Sequence, residues 1–299
     1  MRVDVYLALL LPVLAVRGLP LAGRRLAPPA AVRLLCAVAT AVGAGTLWGL
    51  VMVAGAGLSH LGEILEHSPI SAAQLRRLDP VPRIAGLVAA VLLAAIVVRV
   101  ASALYRRGRV RRAMNGVVAG ARGELVVFTD PSPHAYAVAG GIGRPGRIVV
   151  SDGMLRALDA EERRVLLAHE RAHLAHRHHR YQAVAAVAVA INPVLIRLRG
   201  QIAFQLERWA DEDAATAVAD RELAARSLAR AALAAVPPAP PALAFSDRGV
   251  GGRVRALRSA PTVTRPLSLL PTVAVLGAGV AVLADATIAF LRVAGAVLG

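Results

Sequence analysis

Residues 34–58 form a run of 25 residues without a single charge. As a helix such a run extends about 37 Å, enough to cross the roughly 30 Å hydrocarbon core of a bilayer. Three more apolar stretches share the chain. Residues 5–16 continue past Arg17 to Ala22, residues 84–98 continue past Arg99 to Leu104, and residues 267–291 are broken only by Asp285. The composition agrees, with 57% hydrophobic and 18% charged residues among 299, against about 45–50% and about 25% in ordinary soluble domains. The apolar surplus must face lipid, which disfavours a soluble single-core enzyme and excludes a disordered chain. About four transmembrane helices follow. The first is read as an uncleaved signal anchor, because Asp4 interrupts the basic start that a cleaved signal peptide needs.

Every basic residue is arginine and the net charge is +16. Without lysine there is no P-loop nucleotide site and no Schiff-base chemistry. The lone Cys36 permits neither a disulfide framework nor a cysteine-based zinc site. Arg17, Arg24, Arg25 and Arg33 follow the first apolar stretch, and Arg106, Arg107, Arg109, Arg111 and Arg112 follow the third. Basic flanks stay in the cytoplasm. The chain is thus expected in the plasma (inner) membrane, multi-pass, with its N-terminus outside and residues 106–265 cytoplasmic. Arg253, Arg255, Arg258 and Arg265, ahead of the last span, agree with this. The arginines are read as topology signals and as attraction to anionic lipid. Direct nucleic-acid binding is not expected, since aromatics are 3% and no reader motif is present. Asp285 is read as hydrated near the outer interface.

The chemistry lies in His169-Glu170-Arg171-Ala172-His173. Two imidazoles four residues apart stack on one helix face, where both can bind one Zn²⁺, and Glu170 is then placed as general base. Asp159 and Glu162 are spaced as a capping box at the start of this helix. Catalytic zinc takes three protein ligands. Downstream, Glu207 can be the third, and Asp211, one turn on, can accept from the outer nitrogen of a ligating imidazole. Glu212 and Asp213 compete for either role. Residues 183–196 are apolar enough for another span. A crossing would separate His173 from Glu207 by about 25 Å or more, so a buried or membrane-surface helix ending at Asn192-Pro193 is expected instead. Residues 125–128, 134–138 and 147–150 read as strands, with the glycine-rich 140–146 segment as a hairpin turn. A strand through His134, Ala135, Tyr136 and Ala137 can pair with an extended substrate. His134, Tyr136 and His176 are candidates for stabilising an oxyanion.

These motifs together, from residues 147–155 through 158–162 and 166–174 to Glu207-x-x-Ala210-Asp211, resemble the integral-membrane zinc metallopeptidases of the BlaR/MecR antirepressor type. HtpX-type and CAAX-processing membrane peptidases share the same core. The resemblance is to members lacking the extracellular penicillin-binding sensor, since eight residues follow Leu291. It implies a mainly α membrane protein with an inserted cytoplasmic α+β zincin (gluzincin) domain. The implied site is one Zn²⁺ per chain on His169, His173 and Glu207, with Glu170 as base and Asp211 behind the ligands. The implied substrate is a protein or peptide, specifically a repressor of the BlaI/MecI kind, and the reading also admits a homodimer. The expected organisation is spans in 1–105, peptidase in 106–235, a proline-rich then basic linker in 236–265, and a last span in 266–299. The alternatives are an HtpX-like quality-control protease and a non-catalytic signalling protein with a zinc-binding domain.

Overall fold

The structure, a computed structural model, describes residues 26–58, 82–141, 143–235, 249–262 and 270–298. The first apolar stretch and the Pro237–Pro241 run therefore lie outside the described residues. Helix α1 (Pro28–Leu58) opens on two prolines, which suit a first turn whose N–H groups lack partners. Helix α2 (Arg83–Val117) follows Pro82. Both are long and apolar enough to cross a membrane. The 35 residues of α2 make a rod of about 52 Å. Its first half exposes Leu87, Val91 and Val97, and its arginine-rich second half continues without a break through residue 106, where a boundary was expected. The two helices touch backbone to backbone: a Cβ on Gly57 would stand 2.4 Å from the Cα of Gly86, so only glycine fits either position.

A small sheet follows, made of β1 (Leu125–Phe128), β2 (Ala135–Val138) and β3 (Arg147–Ser151) in the order β1-β3-β2. β3 pairs parallel to β1 and antiparallel to β2, and Val149 faces Val126 on one side and Tyr136 on the other. Its Ile148-Val149-Val150 core is fully buried, as a continuous β-branched run in a central strand should be. The glycine-rich segment links β2 to β3 as a hairpin connection, as expected. Gly140 is required there, because a Cβ would lie 2.2 Å from the carbonyl oxygen of Arg144.

Ser151 caps α3 (Asp152–Ala157) by accepting from the Met154 N–H. In α4 (Ala160–Ala175) the expected capping box forms in both directions: Asp159 accepts from the Glu162 N–H at 2.9 Å and Glu162 from the Asp159 N–H at 3.0 Å. The 183–196 run is a helix followed by a turn. Helix α5 (His178–Ile191) ends at Asn192, a 3-10 turn covers Pro193–Leu195, and α6 (Ile196–Val218) returns. The Asn192 side chain accepts from the Val194 N–H and donates to Thr46 Oγ of α1, both at 3.1 Å. One core joins α1 to α5 and α6: Val32, Leu35, Val38 and Val42 pack against Ala185, Ala188, Leu198, Ile202, Leu206 and Trp209. The N-terminal half of α1 is thus part of the interior beneath α6.

Helix α7 (Arg221–Ala234) is N-capped by Asp220. Residues 236–265 were expected to be linker, yet Val250–Arg258 form helix α8. Leu257 buries, and Val254 packs partly buried, against Val165, Ala214 and Ala224. The Arg221 guanidinium donates to the Leu257, Ala256 and Ser259 carbonyls at 2.8, 3.3 and 3.2 Å, satisfying orphan acceptors at the C-terminus of α8. Helix α9 (Leu270–Leu298) ends the described chain.

Candidate metal centre

Helix α4 sets His169 and His173 one turn apart, and α6 brings Glu207 against them. The two Nε2 atoms are 3.1 Å apart, and each lies 3.6 Å from a different Glu207 oxygen. Nitrogen and oxygen ligands at zinc bond lengths in a tetrahedron stand about 3.3–3.4 Å from one another. Each imidazole nitrogen stands close to that distance from its own Glu207 oxygen, so the group could hold a small divalent cation. Among the described residues this is the group of metal-binding side chains whose ligand atoms lie within 4.8 Å of one another. The two competitors are engaged elsewhere: Glu212 pairs with Arg221, and Asp213 pairs with His176.

Asp211 lies behind the ligands, its Oδ1 3.1 Å from His169 Nδ1. This leaves Nε2 of His169 free for a metal. Sequence reasoning missed the next layer. Arg253 of α8, 14% exposed in its side chain, grips Asp211 with Nε at 2.7 Å and Nη2 at 2.6 Å, and reaches Glu207 Oε2 with Nη1 at 3.0 Å. One guanidinium thus fixes both carboxylates of α6, with the bidentate geometry that arginine matches. The apolar spacing of Val250, Val254 and Leu257 was the signal that this stretch packs as a helix.

His173 has a different partner. Its Nδ1 is 2.8 Å from Nδ1 of His178, a residue 1% exposed. When His173 binds through Nε2, its proton sits on Nδ1 and His178 must accept it, which puts the His178 proton on Nε2. That Nε2 is buried without a partner among the described residues. Burial first, then the charge of neighbouring His173 and His176, holds the His178 pKa down at about 3, so the ring is a neutral acceptor. Trp209 backs it at 5.0 Å between ring centres. His178→Ala removes this acceptor and is expected to weaken zinc binding about 10–100-fold, measured by competition with a chromophoric chelator. Unchanged affinity would remove His178 from the ligand set's support.

Charges in the centre are strongly coupled. Burial works against a proton on His169, but the hydrogen bonds it donates to Asp211 and Glu207 outweigh it and lift the pKa to about 9. Burial also works against the Glu207 anion, and the His169 hydrogen bond and Arg253 overcome it, bringing its pKa to about 2. His173 falls to about 4, through burial first. Between those limits the metal-free centre holds one proton on His169, where a cation would sit. Zinc uptake at pH 7 should therefore release one proton, and apparent affinity should rise about tenfold per pH unit up to roughly pH 9. Calorimetry in buffers of different ionisation enthalpy reads this directly, and a pH-independent affinity would contradict it.

Glu170 is 7% exposed, and burial pushes its carboxyl above the ordinary range while the Ala137 N–H of β2 donates to it. β2 is an edge strand, so one of its sides is unpaired by the sheet and lies along α4. Ala135 lines a cavity of about 210 Å³ together with His169, Glu170, Leu166, Leu228 and Arg253. His176, proposed for an oxyanion, stacks on Trp209 at 4.4 Å and pairs with Asp213, which commits it elsewhere. The His134 backbone N–H donates to Ser151 Oγ at 2.9 Å.

Residues 101–204 match Peptidase family M48. The match contains His169, Glu170 and His173 and stops short of Glu207. A protease HtpX homolog of Dictyoglomus thermophilum is 39% identical over 72 residues, 24% of this chain and 23% of that protein. The chain thus spans about a quarter of the length of that relative. No solved structure matches. Both matches fall on the HtpX side of the resemblance seen in the motifs, and neither carries the antirepressor type. Together with the His/His/Glu group and the two apolar helices, the M48 match supports a metallopeptidase of membrane type.

Proposed function

We propose that the chain is a multi-pass zinc endopeptidase of the plasma membrane that cuts proteins at or near the membrane surface. The observation that carries this reading is the convergence of His169, His173 and Glu207, whose ligand atoms lie within 4.8 Å of one another, with Glu170 buried beside them. Zinc held there supplies Lewis acidity toward a peptide carbonyl. Glu170, its proton affinity raised by burial, accepts a proton from the attacking water and hands it to the leaving nitrogen. The edge of β2 beside the cavity, at Ala135, offers backbone groups to an extended substrate, which gives affinity with little dependence on sequence, while the His134 backbone is taken up by Ser151 and the Ala137 N–H by Glu170. The apolar cavity between Ala135, Leu166 and Leu228 favours an aliphatic side chain next to the scissile bond. The arginine distribution supports a cytoplasmic peptidase face.

Chelation tests the core of this proposal. Purified protein should contain one zinc, lose peptide cleavage with 1,10-phenanthroline, and regain it when zinc is restored. Cleavage that survives complete metal removal would end the reading. Comparison of new protein N-termini between wild-type cells and cells carrying Glu170→Gln then separates the substrate classes. Many membrane-proximal cuts mark an HtpX-like quality-control protease, the class the HtpX match favours. A single cut in a BlaI/MecI-type repressor marks the antirepressor class that the motifs resemble.

A further inference from the structure

A groove of about 1450 Å³ runs between the second half of α2, the β2–β3 connection and α5. Among the described residues eight arginines line it, and no carboxylate does. Three of them brace its walls. Arg99 donates to the Val189 carbonyl, Arg107 to that of His179 and Arg111 to that of Gly140, at 3.0, 3.1 and 3.0 Å. The guanidiniums of Arg106, Arg177, Arg180 and Arg199 have no acidic partner among the described residues. Arg177 adopts φ 52°, a left-handed conformation that disfavours any residue with a Cβ, at the turn that points α5 into the groove. Burial and then the charges of Arg180, Arg111, Arg107 and Arg177 depress the pKa of His179 in the same wall. So many like charges held together without counter-ions are matched by an anionic ligand.

The floor of the groove is apolar: Val98 and Met114 come from α2, and Ala186 and Val189 from α5. At one end it adjoins the exposed Val91, Leu92 and Val97 of α2, the surface that hydrocarbon covers when α2 spans. A ligand that fits both parts carries a negative head and an apolar tail. We infer that the groove binds an anionic phospholipid, with its phosphate among Arg106, Arg177 and Arg180 and an acyl chain along α2 and α5. This is a defined site, distinct from the general attraction of basic flanks to a charged leaflet. It rests on the membrane reading and is independent of peptidase activity.

The test uses the full chain, stripped of lipid in a neutral detergent and titrated with phosphatidylglycerol or phosphatidylcholine in mixed micelles. Native mass spectrometry counts retained lipid, and thermal denaturation reads stabilisation. Phosphatidylglycerol should be retained as a discrete adduct and raise Tm, while phosphatidylcholine should not. Arg106→Gln/Arg180→Gln should weaken retention roughly 30-fold with zinc content unchanged. Arg109→Gln/Arg112→Gln removes the same charge from exposed positions of α2 outside the groove, and should leave retention within about twofold. Equal losses from the two pairs, or equal retention of the two lipids, would overturn the site. So would saturable binding of inorganic phosphate or of an acidic peptide without phosphatidylglycerol binding.

Discussion

Glu170→Gln should keep zinc at one per chain and lower peptide cleavage by about 10²–10⁴-fold. The amide has the shape of the carboxylate, so packing at this 7% exposed position is retained, and its oxygen can still accept from the Ala137 N–H. What it loses is a lone pair basic enough to hold a proton between the attack and the departure of the amine. None of the three side chains proposed to hold the metal is changed. His169→Ala is the contrasting case: it deletes one of three donors and leaves Asp211 facing a void, so metal and cleavage should fail together. Metal analysis by plasma mass spectrometry alongside turnover of a quenched peptide separates the two outcomes. A Gln variant that cleaves at the wild-type rate would remove Glu170 from the chemistry. A Gln variant that loses zinc would make it a structural support instead.

The second large effect is expected from Arg253→Ala. Asp211 is 6% exposed in its side chain and depends on Arg253 for two of its hydrogen bonds, while Glu207 has the same guanidinium at 3.0 Å. Removing one partner of a buried pair leaves an uncompensated charge, at a cost of about 3–5 kcal/mol. The loss should be largest in the metal-free protein. A bound cation replaces the missing positive charge next to Glu207 but does not reach Asp211, so zinc should raise the Tm of the variant more than that of wild type. Arg253→Lys should not rescue it, because an ammonium cannot span both oxygens of Asp211 and Glu207 at once. Arg258→Ala, on the same helix as Arg253, breaks an exposed pair with Glu222 of α7, and as the control for general loosening of α8 it should change little. Equal destabilisation by both substitutions would show that Arg253 acts only by docking the helix.

Much of the centre could be read from spacing because its central elements are local. His169 and His173 belong to one helical turn, Asp159 and Glu162 announce its start, and the 3.6-residue period places Asp211 one turn beyond Glu207. The hairpin and the stop at Asn192-Pro193 rest equally on short-range rules. What escaped was decided at long range. Arg253 meets Asp211 across 42 residues, and nothing in its immediate neighbours distinguishes it from Arg255 or Arg258, so its charge passed for a topology signal. The histidines after the motif are sorted by a turn at Arg177 that carries neither glycine nor asparagine. His176 goes to Asp213, His178 to His173, and His179 into the arginine-lined groove. The uncharged run in α1 was equally silent about its surroundings, since an apolar helix face is satisfied by lipid or by protein alike.

The interior that α1 shares with α5 and α6 has a practical corollary. A fragment beginning near residue 106, chosen to liberate the peptidase in water, would uncover Leu198, Ile202, Leu206 and Trp209 on the very helix that holds Glu207. Such a fragment should bind hydrophobic dyes and precipitate, whereas one that retains residues 26–58 should hold its zinc in detergent or nanodiscs. In this chain the apolar helix doubles as scaffold, and inhibitor screens or substrate trials of the proposed activity belong in a lipid-like setting from the first purification step.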